Sequence, residues 1–241
     1  MDWSQTCVVI IPCFNEEKTI TSLARGVRQH LSAVMVVDDG SCDNTSTLAI
    51  SAGANVVRHA RNLGKGAALK TGLASAHRQG LQWAFTMDGD GQHRPEDIPA
   101  FLRYAEETSA SLICGNRMHL AQAIPPLRRA VNRWMSRRIS KRAGRMLPDS
   151  QCGFRLINLN DWAALRLETN HFEIESEMLL AFVRAGHQVE FVPIQVIPKG
   201  PHSHICPIKD AWRWLQWWKR CHRSRVSDRQ RPPGETGGAP R

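Results

Sequence analysis

The chain has 241 residues, of which 42% are apolar and 22% charged, values that support a packed core and exclude a disordered polymer. This length gives one generous α/β domain or at most two small ones, and excludes a miniprotein held by staples. Lysines and arginines number 32 against 22 aspartates and glutamates, a formal charge of +10, so the expected partner is anionic: phosphate, nucleic acid or a membrane face.

In chain order, apolar β-branched runs alternate with helix-period segments through the first half. Strands are predicted at Cys7 to Ile11, Ala33 to Val37, Asn55 to Arg58, Trp83 to Met87 and Ser111 to Cys114. Helices are predicted near Glu16 to Leu31, Asn44 to Ala52, Lys65 to Gln79 and Pro95 to Glu107, with Asn15, Asp43 and Pro95 as start signals. This is the pattern of an α/β fold, a mostly parallel sheet sandwiched by helices. From Thr108 to Pro148 there is no acidic residue, while arginines accumulate from Arg117 onward, and this predicts a basic amphipathic helix. Its apolar positions are Leu127, Val131, Trp134 or Met135, and Ile139. A strand at Phe154 to Asn158, a helix at Ile174 to Ala185 and a strand at Gln188 to Ile197 extend the same sheet. The expected division is an α/β domain over 1–206, a Trp-rich amphipathic helix over 207–221 and a disordered tail over 222–241.

Seven cysteines without a CxxC pair suit a reduced, cytosolic setting. No run approaches the roughly 18 apolar residues of a spanning helix, and MDWSQT is not a basic leader. The expectation is a chain neither secreted nor membrane-spanning.

The run Thr86-Met-Asp-Gly-Asp-Gly-Gln-His93 closes an apolar strand, and ligands of open α/β sheets sit at strand ends. Asp88 and Asp90, with the amide oxygen of Gln92, can direct oxygens at one hard divalent cation able to bridge a diphosphate; the other use of the same letters is an Asp-Gly turn. Asp38 and Asp39, at the end of the second strand, can accept from a ribose hydroxyl or a base N–H, or can cap the next helix. Pro12, Asn15 and Glu16 follow the first strand, where capping explains most of their chemistry and a base could stack. Lys65 opens a helix and can meet a ligand phosphate or simply be solvated; its surroundings lack the Walker pattern. Glu173, Glu175 and Glu177 suit the start of a helix. His202 and His204 lack a zinc spacing. In the helix from Pro207 to Arg220, Ile208, Trp212, Leu215 and Trp218 repeat at helical spacing, fitting either a membrane-surface anchor or a helix docked on the core.

Taken together, VVIIPCFNEE, VVDDGSCDNT, RNLGKGAALKTGL, TMDGDGQHRPEDIP, GNR, DSQCGFRL and FEIESEMLLAFVRAG, in this order, resemble the family-2 glycosyltransferases of GT-A fold, and among them the dolichol-phosphate mannosyltransferases and related polyprenyl-phosphate sugar transferases. The resemblance covers about Val8 to Ile205. It implies that Asp88, Asp90 and Gln92 meet Mg²⁺ or Mn²⁺ and the diphosphate of a UDP- or GDP-linked sugar, and that Pro12, Glu16 and Asp39 bind the nucleoside. It also implies that Arg117 and Arg128 hold the acceptor phosphate. Ser203 followed by His204 departs from the Ser-Lys or Ser-Arg common in the late loop of lipid-phosphate members, which makes acceptor binding there different or pH-dependent. The Gln-x-x-Arg-Trp motif of processive synthases is absent, favouring transfer of a single sugar.

The function expected is an inverting, metal-dependent transfer from a nucleotide sugar to a polyprenyl phosphate, on the cytoplasmic face of an anionic membrane, with a membrane protein as a further candidate partner. One alternative is a sugar-hydroxyl acceptor in cell-envelope glycan synthesis, with Glu173 or Glu175 as base. The other is a basic nucleic-acid-binding module, against which the lack of a reader motif argues, so no nucleic acid is expected.

Overall fold

The computed structural model describes residues 1–118, 126–197 and 211–221. The chain divides into two units, Met1–His202 and Ser203–Arg241.

The first unit opens on a one-turn helix, α1 (Trp3–Thr6), whose Ser4 N–H is capped by the Asp2 carboxylate at 3.0 Å. Four βα pairs follow: β1 (Cys7–Cys13) with α2 (Ile20–Arg28), β2 (Val34–Asp38) with α3 (Thr45–Ser51), β3 (Asn55–Arg58) with α4 (Lys65–Arg78), and β4 (Trp83–Thr86) with α5 (Ile98–Glu107). Then come β5 (Leu112–Asn116), α6 (Pro126–Ala143), β6 (Arg155–Asn158), α7 (Leu159–Ala163), α8 (Ile174–Arg184) and β7 (Val189–Pro193). The seven strands form one sheet in the order β3-β2-β1-β4-β6-β5-β7. All pairings are parallel except those of β6, which runs antiparallel to both β4 and β5.

Every residue of β1, β2 and β4 is buried, as a strand covered on both faces requires. Alternation sorts the two faces. Val9, Ile11, Val34, Val36 and Phe85 share one cluster with Ile20, Leu23 and Val27 of α2, Ala49 of α3 and Phe101 of α5. Ile10 and Val37, pointing the other way, meet α4 at Gly72, where a Cβ would fall 2.5 Å from the Ile10 side chain. Glycine at that position lets α4 settle directly on the sheet.

The mostly parallel, helix-covered sheet matches the expectation; several details differ. The segment Phe154 to Asn158 extends the sheet by insertion between β4 and β5, with reversed direction. The helix predicted from Glu16 begins at Ile20 instead, and Asn15 does not cap it. Asn15 has a left-handed backbone (φ 56°), and its Oδ1 accepts the Cys42 N–H at 2.9 Å. An Asn tolerates that conformation better than other non-glycine residues, and the bond ties the end of β1 to the turn after β2. Asp43 does mark a helix start: its Oδ1 accepts the Thr45 N–H at 3.0 Å. β1 continues two residues past Ile11, so Pro12 lies inside the sheet, paired with Val37.

On α6 the predicted apolar positions divide. Met135 and Ile139 face inward with Asn132 and Ser136, while Leu127, Val131 and Trp134 are exposed. The inward polar residues have a reason: Ser136 Oγ accepts the Ser150 N–H at 3.0 Å and so holds the loop before β6. Among the described residues no helix is long and apolar enough to cross a membrane. Cys7, Cys13, Cys42, Cys114, Cys152 and Cys221 are free thiols.

In the second unit, residues 211–221 are helical. Trp214 stacks on Trp218 at 5.2 Å and meets Trp217 edge-on at 5.9 Å, whereas Trp212 is exposed. The expected tail over 222–241, and Ser203 and His204, lie outside the described residues.

Candidate active site

The strand order reverses between β1 and β4, and in an open α/β sheet the crevice at that reversal, outside the carboxyl ends of the strands, receives ligands. The carboxyl ends of β1, β2, β4 and β5 lie on one edge. Because β6 runs the other way, the loop that precedes it, 149–153, arrives at the same edge.

Asp88 lies two residues past the end of β4. The loop before β6 packs against its carboxylate so closely that a Cβ on Gly153 would fall 2.5 Å from Asp88 Oδ1. The Thr86 hydroxyl secures this approach by donating to the Gly153 carbonyl at 2.7 Å. Exchange of Gly153 for alanine therefore has to push the carboxylate aside. A misplacement of about 1 Å at a reacting centre costs on the order of 100-fold, so Gly153→Ala is expected to lower kcat by about that factor while the circular dichroism spectrum stays unchanged.

Burial of Asp88 opposes its ionisation, but the ammonium of Lys65, 2.6 Å from Oδ1, overcomes this and holds the carboxyl well below the usual range. Lys65 opens α4 and also meets Glu175 Oε1, on the first turn of α8, at 2.5 Å. Its ammonium lies 5.4 Å from the centre of the Phe172 ring. Burial works against the charge on Lys65, yet the two carboxylates keep it protonated. Oε2 of Glu175 and Oε2 of Glu173 are buried and receive no hydrogen bond among the described residues. The other acidic residue of the bend, Asp90, is half-buried, and its Oδ1 accepts the Gln92 N–H at 3.1 Å. The Gln92 carbonyl accepts the Ile197 N–H at 2.9 Å, which fixes the far side of the bend.

The cationic side of the site comes from β5 and α6. Arg117, immediately after β5, is buried in a bidentate pair with Asp149: Nε to Oδ2 at 2.8 Å and Nη2 to Oδ1 at 2.9 Å. Arg128, on α6, is partly buried, and burial moves its pKa down. It lies within electrostatic reach of Arg117, Asp90, Asp88 and Asp149. The structure thus brings Asp88, Asp90, Arg117 and Arg128 into one neighbourhood, with Lys65 paired to Asp88.

The nucleoside candidates are arranged differently. Asp38 is fully buried, accepting the Ser41 N–H at 2.8 Å and the Ser46 hydroxyl. Asp39 accepts the N–H groups of Leu63 and Gly64 at 2.9 and 2.7 Å and pairs with His59 Nδ1 at 2.7 Å. Both aspartates thereby shape turns, and Asp39 fixes the one that presents Lys65. Glu16 is half-buried at the end of β1, where its backbone N–H donates to Thr45 Oγ1 at 2.8 Å.

Sequence reasoning gave no role to several residues that build this edge. Arg155 is fully buried in β6 and donates to the carbonyls of Cys152, Glu175 and Ser150, pinning the loop before β6 to the start of α8. A charged residue inside an otherwise apolar strand was the available signal. His93 is buried beneath the acidic bend, 3.4 Å from the Asp88 N–H through Nδ1 and stacked on Phe154 at 5.2 Å. Burial lowers its pKa, which favours the neutral ring. Cys152, beside it, is pushed up to about 12 by burial, so its thiol stays protonated and does not act as a nucleophile.

The acidic bend fits a divalent cation of a particular kind. Among the described residues no three His, Cys, Asp or Glu side chains converge into a complete metal cage. Two carboxylates on one bend suit Mg²⁺ or Mn²⁺, since Mg²⁺ typically binds through one or two carboxylates and completes its shell with substrate phosphates and water.

Comparison with known proteins gives the family. A model of the family described as glycosyl transferase family 2 matches residues 8–159. The chain is 29% identical over 212 residues to a UDP-N-acetylglucosamine--dolichyl-phosphate N-acetylglucosaminyltransferase of Methanococcus voltae, covering 78% of this chain and 84% of that protein. It is 26% identical over 211 residues to an undecaprenyl-phosphate mannosyltransferase of Micrococcus luteus, covering 80% and 84%. Among solved structures it is similar to glucosyl-3-phosphoglycerate synthase of Mycobacterium tuberculosis in complex with Mn²⁺, UDP-glucose and phosphoglyceric acid, with TM-score 0.66 and 21% identity over 82% of this chain and 73% of that one, a likeness of fold. With the matched region running from β1 through the acidic bend to the end of β6, the chain belongs to glycosyl transferase family 2 and is a glycosyltransferase.

Proposed function

We propose that the enzyme moves one sugar from a UDP- or GDP-linked donor to a polyprenyl phosphate, with inversion, at the cytoplasmic face of a membrane. The observation that carries this reading is the charge division of the site. Arg117, Asp90 and Asp88 all act electrostatically on Arg128, and Asp88 acts on Arg117 as well, so the carboxylates of the bend and two guanidinium groups share one neighbourhood. Donor and acceptor are both anions that repel each other, and a site joining them has to supply cationic positioning. The relatives named for dolichyl and undecaprenyl phosphate acceptors support the same choice.

In this reading Asp88, Asp90 and the Gln92 amide oxygen hold Mg²⁺ or Mn²⁺, which when bound offsets the charge of the departing nucleoside diphosphate. Arg128, with whatever N–H capacity Asp149 leaves to Arg117, orients the acceptor. The acceptor's phosphate oxygen is already anionic, so no side chain has to remove a proton. That oxygen forms its bond to the anomeric carbon as the bond to the diphosphate breaks, and displacement in one step inverts the centre. Pro12, Asn15, Glu16, Asp38 and Asp39 form the donor side, the two aspartates acting through the turns they hold.

The direct assay is incubation with radiolabelled nucleotide sugars and Mg²⁺ or Mn²⁺, with and without polyprenyl phosphate. Label is expected in an organic-extractable, acid-labile product only when the lipid is present; label that never enters the organic phase would reject the lipid acceptor. A hydroxyl acceptor is the second reading, favoured by the buried Oε2 atoms of Glu173 and Glu175 that receive no hydrogen bond. Such a carboxylate can take the acceptor's proton, so Glu173→Gln is expected to be nearly silent with a phosphate acceptor and severe with a hydroxyl acceptor.

The partner surface in this reading is α6. Leu127, Val131 and Trp134 are exposed at one helical spacing, and exposed Arg133, Arg137, Arg138 and Lys141 flank them. The Arg138 guanidinium sits 4.8 Å from the centre of the Trp134 ring. An apolar stripe bordered by cations fits an anionic bilayer surface. In liposome flotation, Leu127→Ser with Trp134→Ser is expected to reduce retention on anionic vesicles several-fold while catalysis on a short, water-soluble acceptor persists. Deletion from Pro207 separates the share carried by the Trp-rich helix. Retention unchanged in both variants would remove the peripheral-membrane assignment.

A further inference from the structure

We propose that Lys65 is a resident counter-ion of Asp88, occupying that carboxylate in the free enzyme and yielding it only when a divalent cation and the donor diphosphate arrive together. The proposal rests on the reading in which Asp88 and Asp90 hold the cation. It adds that the chain carries its own competitor for that position.

The geometry leaves little room for any other arrangement in the free state. The Lys65 ammonium lies 2.6 Å from Asp88 and 2.5 Å from Glu175, with its side chain 14% exposed. The Phe172 ring centre lies 5.4 Å from the same ammonium. A buried ammonium at this distance repels an incoming divalent ion strongly, because like charges in a poorly hydrated site are weakly screened. The cation and Lys65 therefore compete for Asp88.

Release of Lys65 has a ready landing place. Glu175 already binds it through Oε1, and Oε2 of the same carboxylate receives no hydrogen bond. Lys65 can leave Asp88 and stay on Glu175, so it keeps a neutralising partner. The donor supplies the rest: a diphosphate carries negative charge that can replace that of Asp88 as a partner of the Lys65 ammonium. Cation and diphosphate thus each remove the obstacle to the other, which is reciprocal coupling between two ligands. The free chain binds the cation weakly and the nucleotide-loaded chain binds it tightly.

The test is Mn²⁺ binding to the full chain, read from the electron paramagnetic resonance signal of the unbound ion, with and without uridine or guanosine diphosphate. Lys65→Met is expected to tighten Mn²⁺ binding in the absence of nucleotide by about tenfold or more and to shrink the enhancement that nucleotide brings. Glu175→Gln takes away the landing place; it is expected to weaken binding without nucleotide and to widen that enhancement. An equal shift with and without nucleotide would mean a general field effect and overturn the proposal, as would unchanged or weaker Mn²⁺ binding in Lys65→Met. Asp90→Asn separates the levels. If it loses Mn²⁺ while Lys65→Met gains none, only the counter-ion role falls. If it binds Mn²⁺ as the parent does, the cation lies elsewhere and the metal reading falls with it.

Discussion

Asp88→Asn is expected to lower sugar transfer on the order of 100- to 1,000-fold, since removal of one preorganised electrostatic group at a developing charge typically costs that much, while the fold survives. Both halves of this expectation follow from the site. The variant retains the shape of the side chain beneath Gly153, so the close approach of the loop before β6 is undisturbed. It loses the negative charge that Lys65 holds ionised and that the acidic bend offers a cation. Lys65 keeps Glu175 as a partner at 2.5 Å, so no buried cation is left unpaired. A thermal unfolding midpoint within a few degrees of the parent is expected, together with loss of radiolabelled product. Full activity in Asp88→Asn would detach this residue from the chemistry.

Asp149→Ala is expected to fail in a different way. The Asp149 carboxylate is fully buried and accepts both the Nε and Nη2 groups of Arg117, along with the Arg117 and Gln151 backbone N–H groups. Removing one partner of a buried pair strands the other charge and costs about 3–5 kcal/mol, which for a chain of this size is a fall of roughly 6–20 °C in Tm. Replacing both partners with apolar residues, as in Arg117→Met with Asp149→Leu, is expected to recover most of that stability and none of the transfer activity. Recovery of activity would remove Arg117 from acceptor positioning.

The same pair sets an acid limit. Burial opposes ionisation of Asp149, but Arg117 outweighs it and holds the folded-state pKa below the ordinary value. Its stabilisation is therefore complete above the unfolded carboxylate value of about 3.9 and is lost as pH falls through the depressed folded value. Below pH ~4 the double variant is expected to lose stability less steeply than the parent.

The acidic bend was legible because its signal is local: an apolar run ending in Asp88-Gly-Asp90 needs no knowledge of distant residues to be placed at a strand end. The parallel βα alternation was legible for the same reason. The direction of β6 was not, because an apolar run carries no sign for parallel or antiparallel pairing. The role of Asp149 depends on Arg117, 32 residues earlier in sequence, and that of Arg155 on carbonyls brought together only by folding. On α6, helical spacing gave Leu127, Val131, Trp134 or Met135, and Ile139 as one apolar stripe, yet of these only Met135 and Ile139 are buried, beside Asn132 and Ser136. Ser136 holds the loop before β6, a use of polar residues that hydrophobic spacing does not detect. Lys65 stood between a ligand contact and a solvated side chain; its pairing with both Asp88 and Glu175 required two separate elements to meet.

The most direct measurement is a crystal structure of the chain grown with Mn²⁺ and a nucleoside diphosphate, with the ion located by its anomalous scattering. One peak is expected between the carboxylates of Asp88 and Asp90 and the diphosphate oxygens, with the Lys65 ammonium moved off Asp88. A peak away from both aspartates, or a nucleotide bound with its phosphates remote from the carboxyl ends of β1 and β4, would contradict it.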